Sequence, residues 1–229
     1  IQPVIGVWYH VVGTYDRENI RVYVNGIAGT PTPWTHAISP GTANLNIGRG
    51  PFYTDRLLNG TIDEVRIYSR ALTPEEIRMH YILGKVKFGM PDWQDPRFKQ
   101  EFKWRYIFYK NENYPRVNLT FLLTAQDPYL RYFVDADDRL EPDYSNVLWL
   151  DFNEGSGSVA HDKSGLGNDG TIYGATWTND SIGLGYALSF DGEDDYVEVA
   201  DSDSLDITDA ITIEAVSYTH LTLPTTERV

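Results

Sequence analysis

Short runs of alternating apolar and polar residues, each ended by a Gly, Asn or Asp turn, recur toward both ends of this chain. They leave few folds open to it. Ile20-Arg21-Val22-Tyr23-Val24 alternates with period two and runs into Asn25-Gly26. That pair favours a tight hairpin because both of its residues tolerate positive φ. Val7–Val12, Leu45–Gly48 and Thr61–Tyr68 read as further strands. After a long interval come Val147–Phe152, Ala187–Phe190 before the turn Asp191-Gly192, Tyr196–Val199 and Ile211–Ala215. Along Thr61–Tyr68, strict alternation sets Ile62, Glu64, Arg66 and Tyr68 on one face and Asp63, Val65 and Ile67 on the other. One helix is signalled: Thr73 as N-cap, Pro74 in the first turn and Glu76 closing a capping box, over about residues 74–83 with Gly84 as the stop. The pattern predicts an all-β, antiparallel sandwich with one short helix.

Composition narrows the function classes. The 229 residues contain no cysteine, which excludes a disulfide scaffold, a thiolate metal site and a cysteine nucleophile. No apolar run reaches the roughly 18–20 residues of a spanning helix, so no membrane insertion is expected in this segment. The net charge of −14 is confined to one region. Residues 1–83 carry 7 basic and 7 acidic residues, residues 84–146 carry 10 and 10, and residues 147–229 carry 2 and 16. Such a surface repels nucleic acid. There is no phosphate-cradling Gly loop, no nucleophile–histidine–acid set and no dinucleotide fingerprint.

Two stretches resemble the laminin-G-like, concanavalin A-like jelly-roll family, and they resemble different halves of it. The first half of the family pattern is similar to Trp149-Leu150-Asp151-Phe152, Asp162-Lys163-Ser164-Gly165, Asn168-Asp169-Gly170, Leu188–Gly192, Asp195-Tyr196-Val197 and Ile211–Ala215. The second half is similar to Trp8–Asp16, Val22–Gly26, Ile47-Gly48, Gly60–Tyr68 and Arg70–Ile77. The resemblance implies a jelly-roll β-sandwich. It divides the chain into residues 1–83 as the C-terminal half of one such domain, residues 84–146 as a connector with some β structure, and residues 147–215 as the N-terminal half of a second. Each half alone would leave unpaired strand edges. The two are complementary, and the connector lets them close into one permuted sandwich.

Two features fall outside that pattern. Val216-Ser217-Tyr218-Thr219-His220-Leu221-Thr222-Leu223-Pro224-Thr225 resembles the in-frame translation of a sequencing-library adapter, so residues 216–229 are expected to be an artefact and carry no site. Within the connector, Arg97–Lys110 interleaves basic and aromatic residues, which reads as an ordinary element with an aromatic face, and Asn118-Leu119-Thr120 fits a glycosylation sequon.

The resemblance implies a non-catalytic extracellular or cell-surface module for binding or adhesion, with a glycan or an extracellular protein as partner. Two other readings stand beside it: an accessory domain of a secreted glycoside hydrolase or other hydrolase whose catalytic part lies elsewhere, and a structural spacer. Paired catalytic carboxylates would have to face one sugar, and strict alternation turns Asp63 and Glu64 apart. Glu64 and Arg66 instead suit an ion pair. Trp34 and His36, in the loop Pro31–Pro40, are the candidate ligand contacts. Trp8 and Tyr15 suit the core. The resemblance further implies a structural Ca2+ in some relatives, for which Asp63, Asp162, Asn168 and Asp191 are the candidate ligands. Asx turns are the competing reading for the same residues.

Overall fold

Strand pairing ties the two ends of the chain together. The computed structural model describes residues 4–39, 41–50, 53–88, 145–179 and 185–219. The first stretches supply β1 (Trp8–Tyr15), β2 (Asn19–Val24), β3 (Ile27–Ala28), β4 (Thr32–Pro33), β5 (Leu45–Ile47), β6 (Arg49–Gly50), β7 (Tyr53–Leu57), β8 (Asn59–Tyr68) and α1 (Pro74–Phe88). The later ones supply β9 (Asn146–Leu150), β10 (Val159–Ala160), β11 (Gly170–Tyr173), β12 (Thr176–Thr178), β13 (Ala187–Asp191), β14 (Tyr196–Val199) and β15 (Ile211–Thr219). The larger sheet has the order β12-β13-β8-β15-β1-β2-β3, with β4 on β2 and β9 on β8. The smaller has the order β10-β11-β14-β5, and β6 and β7 form a separate ribbon. β8 thus lies between β15 on one edge and β13 and β9 on the other. The two sheets make an antiparallel jelly-roll sandwich closed from both ends of the chain, and all described residues fall in one compact unit.

The hairpin signal is realised as expected. Asn25 and Gly26 have φ of 53° and 72° and join β2 to β3. At α1 the hydroxyl of Thr73 accepts from the Glu76 N–H at 3.2 Å, and Glu76 accepts from the Thr73 N–H at 2.7 Å, which completes the capping box. The helix does not stop at Gly84 but runs to Phe88. A helical glycine costs only about 1 kcal/mol, too little to end a helix that has turns on both sides.

The main core lies between the sheets. Ile62, Val65 and Ile67 of β8, Leu148 and Leu150 of β9, and Leu188 and Phe190 of β13 meet Ile47, Ile172, Val197 and Val199 of the smaller sheet. On the opposite face of the larger sheet α1 buries Leu72 and Ile77 against Val12, Tyr23 and Tyr68. Past β15 the sandwich-side face of the larger sheet is open to solvent, and Val11, Ile20, Val22, Ile27 and Ile213 are exposed there.

Strict alternation fails in β8. Glu214 of β15 opposes Arg66 and Val216 opposes Asp63, so Glu64 and Val65 together oppose Ala215. Glu64 has a φ of 53°, as the extra residue of a bulge can. The bulge shifts everything before it by one face. Ile62 therefore joins Val65 and Ile67 in the core, and Asp63 joins Arg66 and Tyr68 on the opposite face of the sheet. This corrects the expectation that Asp63 and Glu64 point to opposite faces.

β15 continues through Val216–Thr219, the first residues of the adapter-like stretch. Val216 is buried with Trp8 and Ala187, and the Tyr218 ring lies 5.4 Å from that of Trp8. Residues 220–229, the basic and aromatic run Arg97–Lys110 and the sequon at Asn118 lie outside the described residues.

Candidate functional site

The two candidate ligand contacts come together. Trp34 follows β4, whose pairing to β2 holds the loop at its start, and the Trp34 N–H donates to the Glu18 carbonyl at 2.8 Å. Two residues on, the Tyr15 hydroxyl donates to the His36 carbonyl. Between these anchors the Trp34 and His36 rings sit 4.7 Å apart and tilted by 43°. Trp34 remains 49% exposed and His36 is exposed.

The four candidate metal ligands fall at three places, with Asp162 and Asn168 together. Asp63 is buried opposite Val216 in the larger sheet, where it accepts from the Glu64 N–H at 2.8 Å. Asp162 accepts from the N–H groups of Trp149, Ser164 and Asn168 at 2.9, 2.9 and 3.0 Å and from the Ser164 hydroxyl at 2.7 Å. Burial pushes its carboxyl up, but these four donors outweigh burial and hold it below the usual range. Asn168 is buried, donates to the Val147 carbonyl at 2.7 Å and accepts from Ser202 at 2.7 Å. Asp162 and Asn168 thus form one turn-stabilising unit. Asp191 lies elsewhere, with Asp194 and Asp195, and the three carboxylates offer oxygens within 4.8 Å of one another. Asp191 and Asp195 already accept backbone N–H groups there, from Glu193 at 2.8 Å and from Asp191 at 2.9 Å. Burial and then the neighbouring Asp191 and Asp194 push the Asp195 carboxyl up, against one backbone hydrogen bond.

A buried charge network beneath α1 was not read from the sequence. Register aligns Val12, Glu214, Arg66 and Trp149 across β1, β15, β8 and β9. Glu214 accepts from His10 Nε2 at 2.7 Å and from His80 Nδ1 of α1 at 2.8 Å, with Arg66 at 3.7 Å. Arg66 donates to Glu64 at 2.7 Å and stacks 4.8 Å from the Trp149 ring centre, and the Trp149 indole donates to the same Glu64 oxygen at 3.0 Å. The Glu64–Arg66 ion pair expected from spacing is therefore present. Burial alone would raise the Glu214 carboxyl, but the two histidine hydrogen bonds and the charges of His80 and Arg66 overcome it and hold the group well below the usual carboxylate range. These contacts join α1 to three strands and occupy both Glu214 oxygens, so they serve the packing of the helix.

The sign of the resulting pH dependence is fixed. Glu214 and Asp162 titrate lower in the folded state, so the unfolded chain binds more protons in acid. Their stabilisation is complete above about pH 4.5 and is lost progressively below it. Asp195 acts in the opposite sense, because its raised carboxyl favours the fold only while protonated. Asp16 and Glu76 are lowered as well, so the lowered carboxylates outnumber Asp195, denaturant midpoints should fall between pH 5 and 3, and a flat profile would contradict the assignment.

An antiparallel jelly-roll sandwich with a helix against its larger sheet is a concanavalin A-like architecture. Residues 1–78 match the laminin G family model described as the concanavalin A-like lectin/glucanases superfamily. It is 37% identical over 87 residues to the human (Homo sapiens) adhesion G-protein coupled receptor D1, covering 36% of this chain and 10% of the receptor. It is 39% identical over 75 residues to the same-named receptor of Bos taurus, covering 32% of this chain and 8% of the receptor. The match therefore spans about a tenth of these relatives. No solved structure matches the chain. No helix among the described residues is long and apolar enough to cross a membrane.

Proposed function

We propose that this chain is a non-catalytic recognition module of a larger secreted or cell-surface protein, and that it engages an extracellular glycan or protein through the Trp34–His36 loop. The observation that carries the reading is the exposed indole and imidazole pair on a loop pinned at Glu18 and Tyr15. Large exposed rings on pre-ordered backbone are the usual anchors of binding surfaces. The similarity to adhesion receptors supports the extracellular setting. The absence of catalysis is supported by the carboxylates themselves: Glu64 is engaged by Arg66 and Trp149, and the buried Asp63 by the Glu64 backbone N–H.

The full chain should be applied to arrays of immobilised glycans and extracellular-matrix proteins beside Trp34→Ala. Removing the indole is expected to weaken binding by on the order of 30-fold, the loss of a hot-spot side chain of about 2 kcal/mol. Thermal stability should stay within a degree or two, as for other surface positions. Retention of all binding by Trp34→Ala would defeat the proposal.

A further inference from the structure

The larger sheet is wider than the sheet that covers it. Short turns join β11 to β12 and β13 to β14, so the smaller sheet begins above the β12–β13 side and ends, at β5, toward β15. Ile211 and Ala215 of β15 still pack against the main core, but Ile213 between them is 49% exposed. Beyond it Val11, Ile20, Val22 and Ile27 are 38% to 54% exposed. Alternation puts these five on one face, because Val12 and Tyr23 pack on the other, against α1. The charged residues of β15, β1, β2 and β3 are Glu214 and Arg21, and both share the α1 side with Val12 and Tyr23. The open face therefore carries no charge. The loop of Trp34 and His36 closes it at one end, where Tyr15 is buried and donates to the His36 carbonyl. Alongside the face, β5 pairs with β14 by one edge, and no described strand pairs with its other edge.

We propose that this step between the sheets is a docking groove for an extended polypeptide segment. The segment adds to the free edge of β5 as the next strand of the smaller sheet and seats apolar residues, at every second position, on Ile213, Val11 and Val22. Each half of the step selects that occupant. An open strand edge presents unpaired N–H and C=O groups that another strand satisfies. A charge-free apolar face, one layer of about 10 Å below, takes the apolar side of such a strand. A second copy of the chain fits less well. Four strands spaced about 4.8 Å apart, and the span Ile211–Ala215 at about 3.4 Å per residue, give the face on the order of 300 Å2. A stable interface takes about 800 Å2 per partner. Two chains of net charge −14 also repel each other. An added strand offsets the small area with main-chain hydrogen bonds, which two stacked faces do not form. Backbone and aliphatic side chains make this groove, so it does not depend on the role proposed for Trp34.

The test uses the full chain and neutral peptides of about ten residues, an ordinary strand length. The first alternates Val with Thr. The second has the same residues reordered to a helical period. The third is the alternating peptide with its backbone N–H groups methylated, which removes the ladder donors. Titration calorimetry should show binding of the first peptide alone, and the amides of Leu45–Ile47 should gain protection from hydrogen exchange in that complex. Val22→Thr combined with Ile213→Thr keeps β-branched residues at two exposed strand positions, so the fold is retained. This double variant should weaken binding about tenfold or more. Leu166→Thr, at an equally exposed apolar position in the Asp162–Asn168 turn, should leave binding unchanged. No binding of the alternating peptide, equal binding of either control peptide, full affinity in the double variant, or unchanged protection of β5 would each overturn the proposal. A free chain that sediments as a dimer, with the double variant a monomer, would assign the face to a second copy and overturn it as well.

Discussion

Replacing Glu214 with Ala is expected to destabilise the sandwich by about 3–5 kcal/mol, the usual cost of removing one partner from a buried ionic cluster. Glu214 is 3% exposed, as is the His10 that donates to it. Without the carboxylate, the Nε2 proton of His10 loses its acceptor and Arg66 loses one of its two carboxylate partners, keeping Glu64. His80 loses the contact that joins α1 to β15. Glu214→Gln separates charge from shape: it keeps the volume but can accept from only one histidine through its carbonyl oxygen, so it should fall between wild type and Glu214→Ala. Urea unfolding of the three proteins at pH 7 measures both effects. A loss below about 1 kcal/mol for Glu214→Ala would mean that the network contributes no net stability.

Phe190→Ala should cost a similar amount, about 3–5 kcal/mol, by a different mechanism. Phe190 is 1% exposed and lies on the sandwich side of β13. Its ring occupies the space above Gly48, where a Cβ would come within 2.6 Å of Phe190 Cδ1. Gly48 also has a φ of 91°, a conformation that side chains resist, so the neighbouring backbone is poorly placed to collapse into the cavity. The denaturant midpoint should drop with an unchanged slope, since the same surface is exposed on unfolding. A changed slope or a shift smaller than that of a surface substitution would contradict the packing described for the core.

The parts of this fold legible in the sequence are those set by neighbours along the chain. Asn25-Gly26 needs only its own backbone preferences to define a turn, and Thr73 and Glu76 need only each other to define a helix start. Closure of the two ends was legible too, because the strands in each half lacked partners that the other half could supply. What escaped depends on partners far away. Nothing in Asp63-Glu64-Val65 marks a bulge, because its register is dictated by β15. The His10–Glu214 contact joins residues 204 apart in sequence. β11 is a four-residue strand opening on Gly170, too short to show its period, so Tyr173 was not recognised as outward-facing and its pairing with Tyr196 was not seen. Trp34 and His36 were legible because aromatic residues in a Pro-bounded loop have no strand face to fill.

The position of β8 also bears on how the chain is made. Each strand that flanks it lies beyond residue 145, the nearest in sequence being β9 at Asn146–Leu150. The span from Tyr68 to Ile211, where β15 begins, is 211 − 68 = 143 residues. At ribosomal rates of about 5–20 residues per second, β8 waits roughly 7–30 s after its own synthesis for that partner. Throughout this interval its two hydrogen-bonding edges and the apolar residues Ile62, Val65 and Ile67 are presented to the cell without their final cover. Vectorial synthesis, rather than the strength of any contact in the finished sandwich, therefore sets the period in which β8 is exposed to mispairing.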